Sequence, residues 1–439
     1  MLTSVLRAIW LVKAAVTLAR EMPIVVQKYG GTSVDGVERL RRVADRVVAA
    51  REAGNDVIVV VSAMGQTTDD LARMAKDIAP TPDPREMDML LTAGERIAMS
   101  LLGIAINAHG IRAASYTGSQ AGIITDTAHG QAKIIEIRPK RILEALDAGN
   151  VVIVAGFQGL SSAYEITTLG RGGSDLTAVA MAAAVGADVC EIYTDVGGVM
   201  TADPRLVPDA RLIERIGYDD MLELAAAGAK VLQSRSVEVA RRSGLRLHVR
   251  SSFDDGSPGT WVEEPDADSE EAGAMEDVLI SGVALETDEA KVTFDGVPDQ
   301  PGVAATLFKA VAGAGVSVDM IVQNVSHQGA TDLSFTAPVA DVSNLEAALD
   351  GIAQQVGARN WSIDDGVAKV SLVGAGMKSQ PGVAADMFDA LAAEGINIEM
   401  ISTSPIRISC VVRKTDAERA LRAVHGRFGL DGTREMADN

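Results

Sequence analysis

Ile24-Val25-Val26-Gln27-Lys28-Tyr29-Gly30-Gly31-Thr32-Ser33-Val34 runs from an apolar strand through a glycine turn towards a helix. An Ile-Val-Val run without alternation suits a strand covered on both faces. Two glycines let the backbone approach a phosphate, and the helix start beyond them adds N–H donors and partial positive charge. Lys28 stands at the strand's carboxyl end, in reach of a transferring phosphoryl group. The order differs from the Walker loop, where the lysine follows the glycines. Alone, the stretch reads first as an ordinary strand–helix turn.

Outward from it, short apolar runs alternate with amphipathic ones. Ile24–Lys28, Val57–Ser62, Val151–Phe157 and Glu191–Asp195 read as strands. Residues 37–53, 84–109, 138–148 and 175–186 read as helices. This is an α/β pattern with a mainly parallel sheet, in which ligands sit at the carboxyl ends of strands. Glycine turns follow three of the strands, at Gly30-Gly31, Gly156–Gly159 and Gly197-Gly198.

The chain has 439 residues, and at roughly 150 residues per domain that predicts about three domains. Lys and Arg number 40 against 60 Asp and Glu, a net charge of −20, which argues against nucleic acid as a partner. Aromatics at 3 % leave little for base stacking. Cys190 and Cys410 alone cannot make a disulfide framework or a cysteine zinc site. Residues 1–21 carry Arg7 and Lys13 in an apolar run too short and too charged to span a bilayer. They read as a dispensable extension ahead of a start at Met22. No other stretch reads as a membrane helix, so a cytoplasmic protein is expected.

An acidic stretch, 253–277, reads as a linker, and an internal repeat follows it. Gln300-Pro301-Gly302-Val303-Ala304-Ala305 recurs as Gln380-Pro381-Gly382-Val383-Ala384-Ala385. Phe308, Gly315 and Met320-Ile321 recur as Phe388, Gly395 and Met400-Ile401. Each copy predicts a βαββαβ unit of ferredoxin-like type, and together two small adjacent sheets suited to a small ligand between them.

Four more motifs carry chemistry. Gly170-Arg171-Gly172-Gly173-Ser174-Asp175 opens an Ala-rich helix. Its Ser or Asp reads first as an N-cap, but Arg171 in a glycine loop also suits a carboxylate, and Asp175 can orient Lys28 or help place Mg²⁺. Thr194-Asp195-Val196-Gly197-Gly198-Val199-Met200-Thr201-Ala202-Asp203-Pro204-Arg205 is either a long loop or a wrap for a nucleotide. Thr92-Ala93-Gly94-Glu95-Arg96 sets an acid in an apolar helix, paired with a local Arg or holding an ammonium. Ser62 to Thr68 offers hydroxyls to a substrate or to the next helix. His109, His129 and His248 do not cluster. Gly374-Ala375-Gly376-Met377-Lys378-Ser379 reads as a turn.

Taken together, residues 28–34, 62–65, 92–96, 167–175 and 201–205 with the paired repeats resemble aspartate kinase, of the amino acid kinase family with C-terminal ACT domains. The resemblance runs over about residues 22–430. It implies an amino-acid-kinase three-layer sandwich (22–252), a linker (253–277) and two ACT domains (278–360 and 361–439). It implies transfer of the ATP γ-phosphate, with Mg²⁺, to the side-chain carboxylate of L-aspartate, towards lysine, threonine and methionine. By the same resemblance Lys28, Tyr29, Gly30, Gly31, Thr194, Asp195, Met200, Arg205, Lys230 and Val231 serve ATP, and Asp175 organises Lys28. Ser62, Thr68, Glu95, Arg171, Gly172, Gly173 and Ser174 serve aspartate, with Arg171 on the α-carboxylate and Glu95 on the ammonium. Threonine, lysine or both would bind as inhibitors at Asp299, Ala304, Ser317, Val318, Asp319 and Gln323, facing Val383, Ala384, Asn397, Ile398, Ser404 and Pro405. A homo-oligomer through the ACT domains is implied, with a separate regulatory chain starting near Met275. The chain departs from the family pattern at Gly197 (usually Asp), Leu176 (usually Thr) and Pro405 (often Glu).

Overall fold

The computed structural model describes residues 22–264, 279–323, 329–346, 348–375, 377 and 382–432. The N-terminal extension, Met275 and the Gln380-Pro381 of the repeat lie outside them. The chain divides into two compact units. Among the described residues the first holds 22–199, Leu212–Ala225 and 230–264; the second holds Met200–Arg211, Ala226–Ala229 and 279 onwards.

In chain order the first unit runs β1 (Ile24–Tyr29), α1 (Val37–Glu52), β2 (Asp56–Val61), α2 (Thr67–Ile78), α3 (Pro84–Leu91) and α4 (Ala93–Ala108). Next come β3 (Ala113–Tyr116), β4 (Ile123–Thr125), β5 (Ile134–Ile137), α5 (Lys140–Asp147), β6 (Val151–Ala155), β7 (Gln158–Ser161) and β8 (Ile166–Thr168). It continues with α6 (Gly173–Val185), β9 (Val189–Thr194), β10 (Arg215–Ile216), α7 (Tyr218–Ala226), α8 (Ser234–Ser243), β11 (Leu247–Ser251) and β12 (Thr260–Val262). The main sheet has the order β10-β12-β11-β9-β1-β2-β6-β3, and a smaller one the order β5-β4-β7-β8. Every pairing in the main sheet is parallel except β11 with β12.

Strand β2 is buried at all six positions, as its unbroken apolar run requires. Leu40, Val43 and Val47 of α1 and Ala98, Leu102 and Ile106 of α4 pack with Val57, Val59 and Val61 in one core. Register then fixes the functional edge. Tyr29 lies opposite Tyr193 and Val61, and Val61 opposite Ala155. Four strands therefore end level, and Thr194, Gly30, Ser62 and Gly156 open on the same edge.

Three expectations change here. The helix expected over 84–109 breaks at Thr92, whose Oγ1 donates to the Met89 carbonyl at 3.0 Å and competes with the helix ladder. Residues 84–108 are also long and apolar enough to cross a membrane by length and composition, which the sequence reading denied of any later stretch; α4 buries Ala98, Met99, Leu102 and Ile106 in the core and leaves Ile97, Leu101 and Ile104 exposed. Thr260–Val262, expected in the acidic linker, is a strand of the main sheet.

The second unit comprises β13 (Leu279–Pro298), α9 (Val303–Gly313), β14 (Ile321–Gln323), β15 (Ala330–Pro338), α10 (Val339–Glu346) and α11 (Leu349–Val356). It ends with β16 (Asn360–Ala375), α12 (Val383–Ala393), β17 (Met400–Ser404), β18 (Arg407–Arg413) and α13 (Ala417–Arg427). The repeats share one antiparallel sheet, β14-β15-β13-β16-β18-β17, rather than two adjacent sheets. The cause is length: β13 and β16 span 20 and 16 residues and pair from Leu279–Ala375 to Asp295–Asn360. The repeats exchange ion pairs across it, Lys291 with Glu399 and Lys369 with Asp319. Phe294, Leu307, Phe335 and Ile352 centre one core, and Val370, Leu372, Met387 and Leu421 the other.

Ala202 and Val207 join that second core from the excursion Met200–Arg211. The Val283 N–H donates to the Thr201 carbonyl at 2.8 Å, Thr201 Oγ1 meets His425 Nε2 at 2.9 Å, and Arg422 Nε donates to the Leu206 carbonyl at 2.7 Å.

Candidate active site

The level strand ends are linked by a run of close contacts. Lys28 Nζ is 2.6 Å from Asp175 Oδ1, both side chains largely buried. Asp175 belongs to the first turn of α6, whose N-cap Gly172 has φ +68°, a conformation that favours glycine. A Cβ on Gly156 would come within 2.7 Å of Ser174 Oγ, so the end of β6 admits only a glycine beside that hydroxyl.

On the other side of Lys28 the turn Gly31–Val34 lies against the end of β2. A Cβ on Gly31 would sit 2.9 Å from the Ala63 carbonyl oxygen, and the Gly65 N–H donates to the Gly31 carbonyl at 3.0 Å. The glycines thus fold the turn tightly at the sheet edge. The Ala63 N–H donates to Glu95 Oε1 at 3.1 Å. Glu95 is 3 % exposed and its Oε2 has no partner. Burial, partly offset by backbone N–H donors, raises its pKa to about 7. Among the described residues no arginine meets it, which disfavours the pairing with a local Arg that the sequence also allowed. A buried acceptor without a donor fits a cationic ligand group.

Thr68 is the second residue of α2, half-buried like Ser62. Arg171 and Gly172 are exposed, while Gly173 and Ser174 are buried. The Arg171 carbonyl accepts from Gln233 Nε2 at 2.5 Å, and Gln233 also fills the space a Cβ on Gly172 would need. Lys230 and Val231 lie just before Gln233, which ties their segment to the arginine loop. Thr194 Oγ1 donates to Asp195 Oδ1 at 3.1 Å at the end of β9. At Gly197 a Cβ would stand 3.1 Å from Ser257 Oγ, so the serine occupies part of the space a larger residue would take.

Met200 and Arg205 are grouped differently from the other residues expected to serve ATP. They belong to the second unit, where Arg205 Nη2 meets Asp203 Oδ2 at 2.6 Å. Phe157 was missed. It has φ +67° between β6 and β7, a strained state for a bulky residue, held by its N–H donating to Thr177 Oγ1 at 3.1 Å. Its only signal in sequence was the turn bounded by Gly156 and Gly159. Among the described residues no group of three or more His, Cys, Asp or Glu could hold a metal ion.

In the second unit Asp299, Ala304 and Gln323 line a cavity of about 360 Å³ with Gln300, Pro298 and Leu333. Val383 and Ala384 begin α12, Asn397 and Ile398 precede β17, and Ser404-Pro405 turn into β18. Ser317 and Val318 precede β14. Asp319, expected to meet an inhibitor, is already paired with Lys369 and lies 3.7 Å from Arg407.

Comparison with known proteins agrees with this architecture. The amino acid kinase family matches residues 23–251, and ACT domains match 291–356 and 370–428. Aspartokinase of Mycolicibacterium smegmatis is 54 % identical over 417 residues, 94 % of this chain and 98 % of that one. Aspartokinase of Corynebacterium glutamicum is 52 % identical over 422 residues, with the same coverage. The crystal structure of E. coli aspartokinase III with aspartate and ADP, an R-state, superposes with a TM-score of 0.79 at 26 % identity, covering 92 % of this chain and 99 % of that one. The same enzyme with lysine and aspartate, a T-state, gives 0.69 at 26 % identity and the same coverage. The parallel sheet with its lysine-and-glycine edge, the shared ACT-type sheet and relatives above half identity over nearly the whole chain place it in the amino acid kinase family, among the aspartokinases.

Proposed function

We propose that this kinase transfers the γ-phosphoryl group of ATP to the side-chain carboxylate of L-aspartate, giving 4-phospho-L-aspartate for lysine, threonine and methionine synthesis. The observation that carries the proposal is the contact chain Asp175–Lys28 and Gly31–Ala63–Glu95 at one sheet edge. The acceptor carboxylate is already ionised at neutral pH, so no general base is needed. Catalysis then rests on positioning and charge neutralisation. Lys28, held by Asp175, neutralises the transferring group. Gly30 and Gly31 let the backbone approach the phosphates, with Tyr29, Thr194, Asp195, Lys230 and Val231 around the nucleotide. By the family resemblance Met200 and Arg205 also serve the nucleotide.

Glu95 takes the substrate ammonium, Arg171 the α-carboxylate, and Ser62, Thr68, Gly172, Gly173 and Ser174 the remaining polar groups. Mg²⁺ bound with the nucleotide would add charge neutralisation, and Asp175 beside Lys28 and Asp195 beside Thr194 are the carboxylates that would hold it. The aspartate and ADP bound by E. coli aspartokinase III support this assignment.

Feedback by threonine, lysine or both fits the cavity beside Asp299, Ala304 and Gln323 and the corresponding positions of the second repeat. Lysine bound to the E. coli enzyme favours it. The sheet's edge strands expose Ile321 and Ile401 at matching repeat positions, which suits pairing between chains.

The test is ATP turnover with aspartate, glutamate, acetylglutamate and carbamate, each with threonine and lysine singly and together. Aspartate alone should be phosphorylated. Lys28→Ala should abolish turnover and leave inhibitor binding intact. Inhibitor binding without turnover in the unaltered protein would leave an amino-acid sensor and refute the kinase assignment.

A further inference from the structure

Asp88 takes no part in the chemistry above, yet it is 1 % exposed in α3. A buried carboxylate is costly unless its oxygens are occupied. Here both are. Oδ1 accepts from Thr168 Oγ1 at 2.5 Å and from the Gly130 N–H at 3.1 Å; Oδ2 lies 2.7 Å from His129 Nδ1 and 3.2 Å from the Gly130 nitrogen.

These partners sit on two segments that lead to the arginine loop. Thr168 ends β8, three residues before Arg171. The loop at 129–132 braces that exit: the Ala132 N–H donates to the Thr168 carbonyl at 2.9 Å, and Gly130 O lies 3.3 Å from where a Cβ on Gly170 would stand. Arg235 clamps the same place, donating to the carbonyls of Leu169 at 2.8 Å and Ala132 at 3.0 Å. On its other side Asp88 is one helical step from Thr92, whose N–H donates to the Asp88 carbonyl at 3.2 Å and which joins α3 to α4, the helix of Glu95. One carboxylate thus ties the helix pair carrying Glu95 to the strand exit carrying Arg171.

We propose that Asp88 is a positioning residue for the amino-acid substrate: with Thr168 and His129 it fixes the separation between the group that takes the ammonium and the group that takes the α-carboxylate. The proposal rests on the assignment of Glu95 and Arg171 to aspartate. Its consequence is selective. Loosening the clasp misplaces the two contacts to the amino acid first and reaches Lys28 and Gly31 only at one remove, through Asp175 and Ala63.

The experiment is steady-state kinetics of the full-length chain with each substrate varied. Asp88→Asn and Thr168→Val should each raise the KM for aspartate about tenfold, with the KM for ATP changing less than about twofold. Thr168→Ser, which keeps the hydroxyl, should behave as the unaltered enzyme. Arg85→Ala is the control: its bond to Glu165 at 2.9 Å joins the same helix to the turn just before β8 but is exposed, so neither KM should move. Unchanged aspartate KM in both clasp variants, or KM values for both substrates rising in step, overturns the proposal. If Asp88→Asn does not fold, Thr168→Val decides. Arg171→Ala and Glu95→Gln run alongside. If they too leave the aspartate KM unchanged, the substrate-site assignment has failed; if they raise it while the clasp variants do not, only the positioning role has.

Discussion

Replacing Glu95 by Gln removes a charge while keeping the shape and the acceptor for the Ala63 N–H. In the free protein the carboxyl is pushed up to about 7 by burial, against an ordinary value of 4.5. At roughly 1.4 kcal/mol per pH unit, that displacement corresponds to about 3 kcal/mol of resistance to ionisation. A substrate ammonium reverses the preference, because an opposite charge at the unpartnered Oε2 favours the ionised form. Losing that charge-assisted contact costs about 2–3 kcal/mol, or a 30- to 150-fold rise in the aspartate KM. The aspartate KM of the unaltered enzyme should also fall as pH rises through about 7, and this limb should vanish in Glu95→Gln.

Stability moves the other way. The folded protein holds this proton to higher pH than the unfolded chain does, so Glu95 contributes stability at low pH that is lost between about 4.5 and 7. The melting temperature of Glu95→Gln relative to the unaltered protein should therefore rise from pH 5 to pH 8, by the equivalent of about 2–3 kcal/mol. Aspartate KM profiles of equal slope in both proteins, with a melting difference flat across that range, would refute the assignment of this side chain to a buried, ammonium-binding acid.

Two more outcomes are checkable in the same preparations. Lys369→Met should cost about 3 kcal/mol, the lower end for a broken buried pair, because Asp319 is 30 % exposed and keeps Arg407 while Glu289 is left buried; denaturant unfolding measures it, and an unchanged midpoint would contradict the ion-pair reading of the shared sheet. Burial raises both thiols, Cys410 to about 12 and Cys190 further, so the native protein should ignore a thiol reagent at pH 8 and yield two equivalents once unfolded.

Lys28, its glycines and the Gly170–Asp175 loop were legible because strand ends and helix starts have local signatures. What was not legible was their meeting. The Ala63–Glu95 bond joins residues 32 apart, and only strand register makes it possible. Asp88 was passed over inside an apolar helix because nothing local marks a carboxylate whose partners arrive from 41 and 80 residues away. Phe157 could not be foreseen either, since positive φ is readable from glycine but not from a bulky residue. The repeat was plain, but strand pairing across it is non-local, so two sheets were expected where one forms. Thr201 to Arg205 is turn chemistry without periodicity; the small Ala202 gave no hint that it would enter a core.

The excursion Met200–Arg211 sets an order of events during synthesis. The ribosome delivers Ala202 and Val207 long before Val370, Met387 or Leu421 exist to cover them. The first unit must close around a dozen-residue detour that waits for its destination. A shorter product begun near Met275 would be born without that detour. Its Val283 N–H and His425 would lack the Thr201 partner they have in the full chain, and the gap would have to be filled by water, by rearrangement or by another polypeptide.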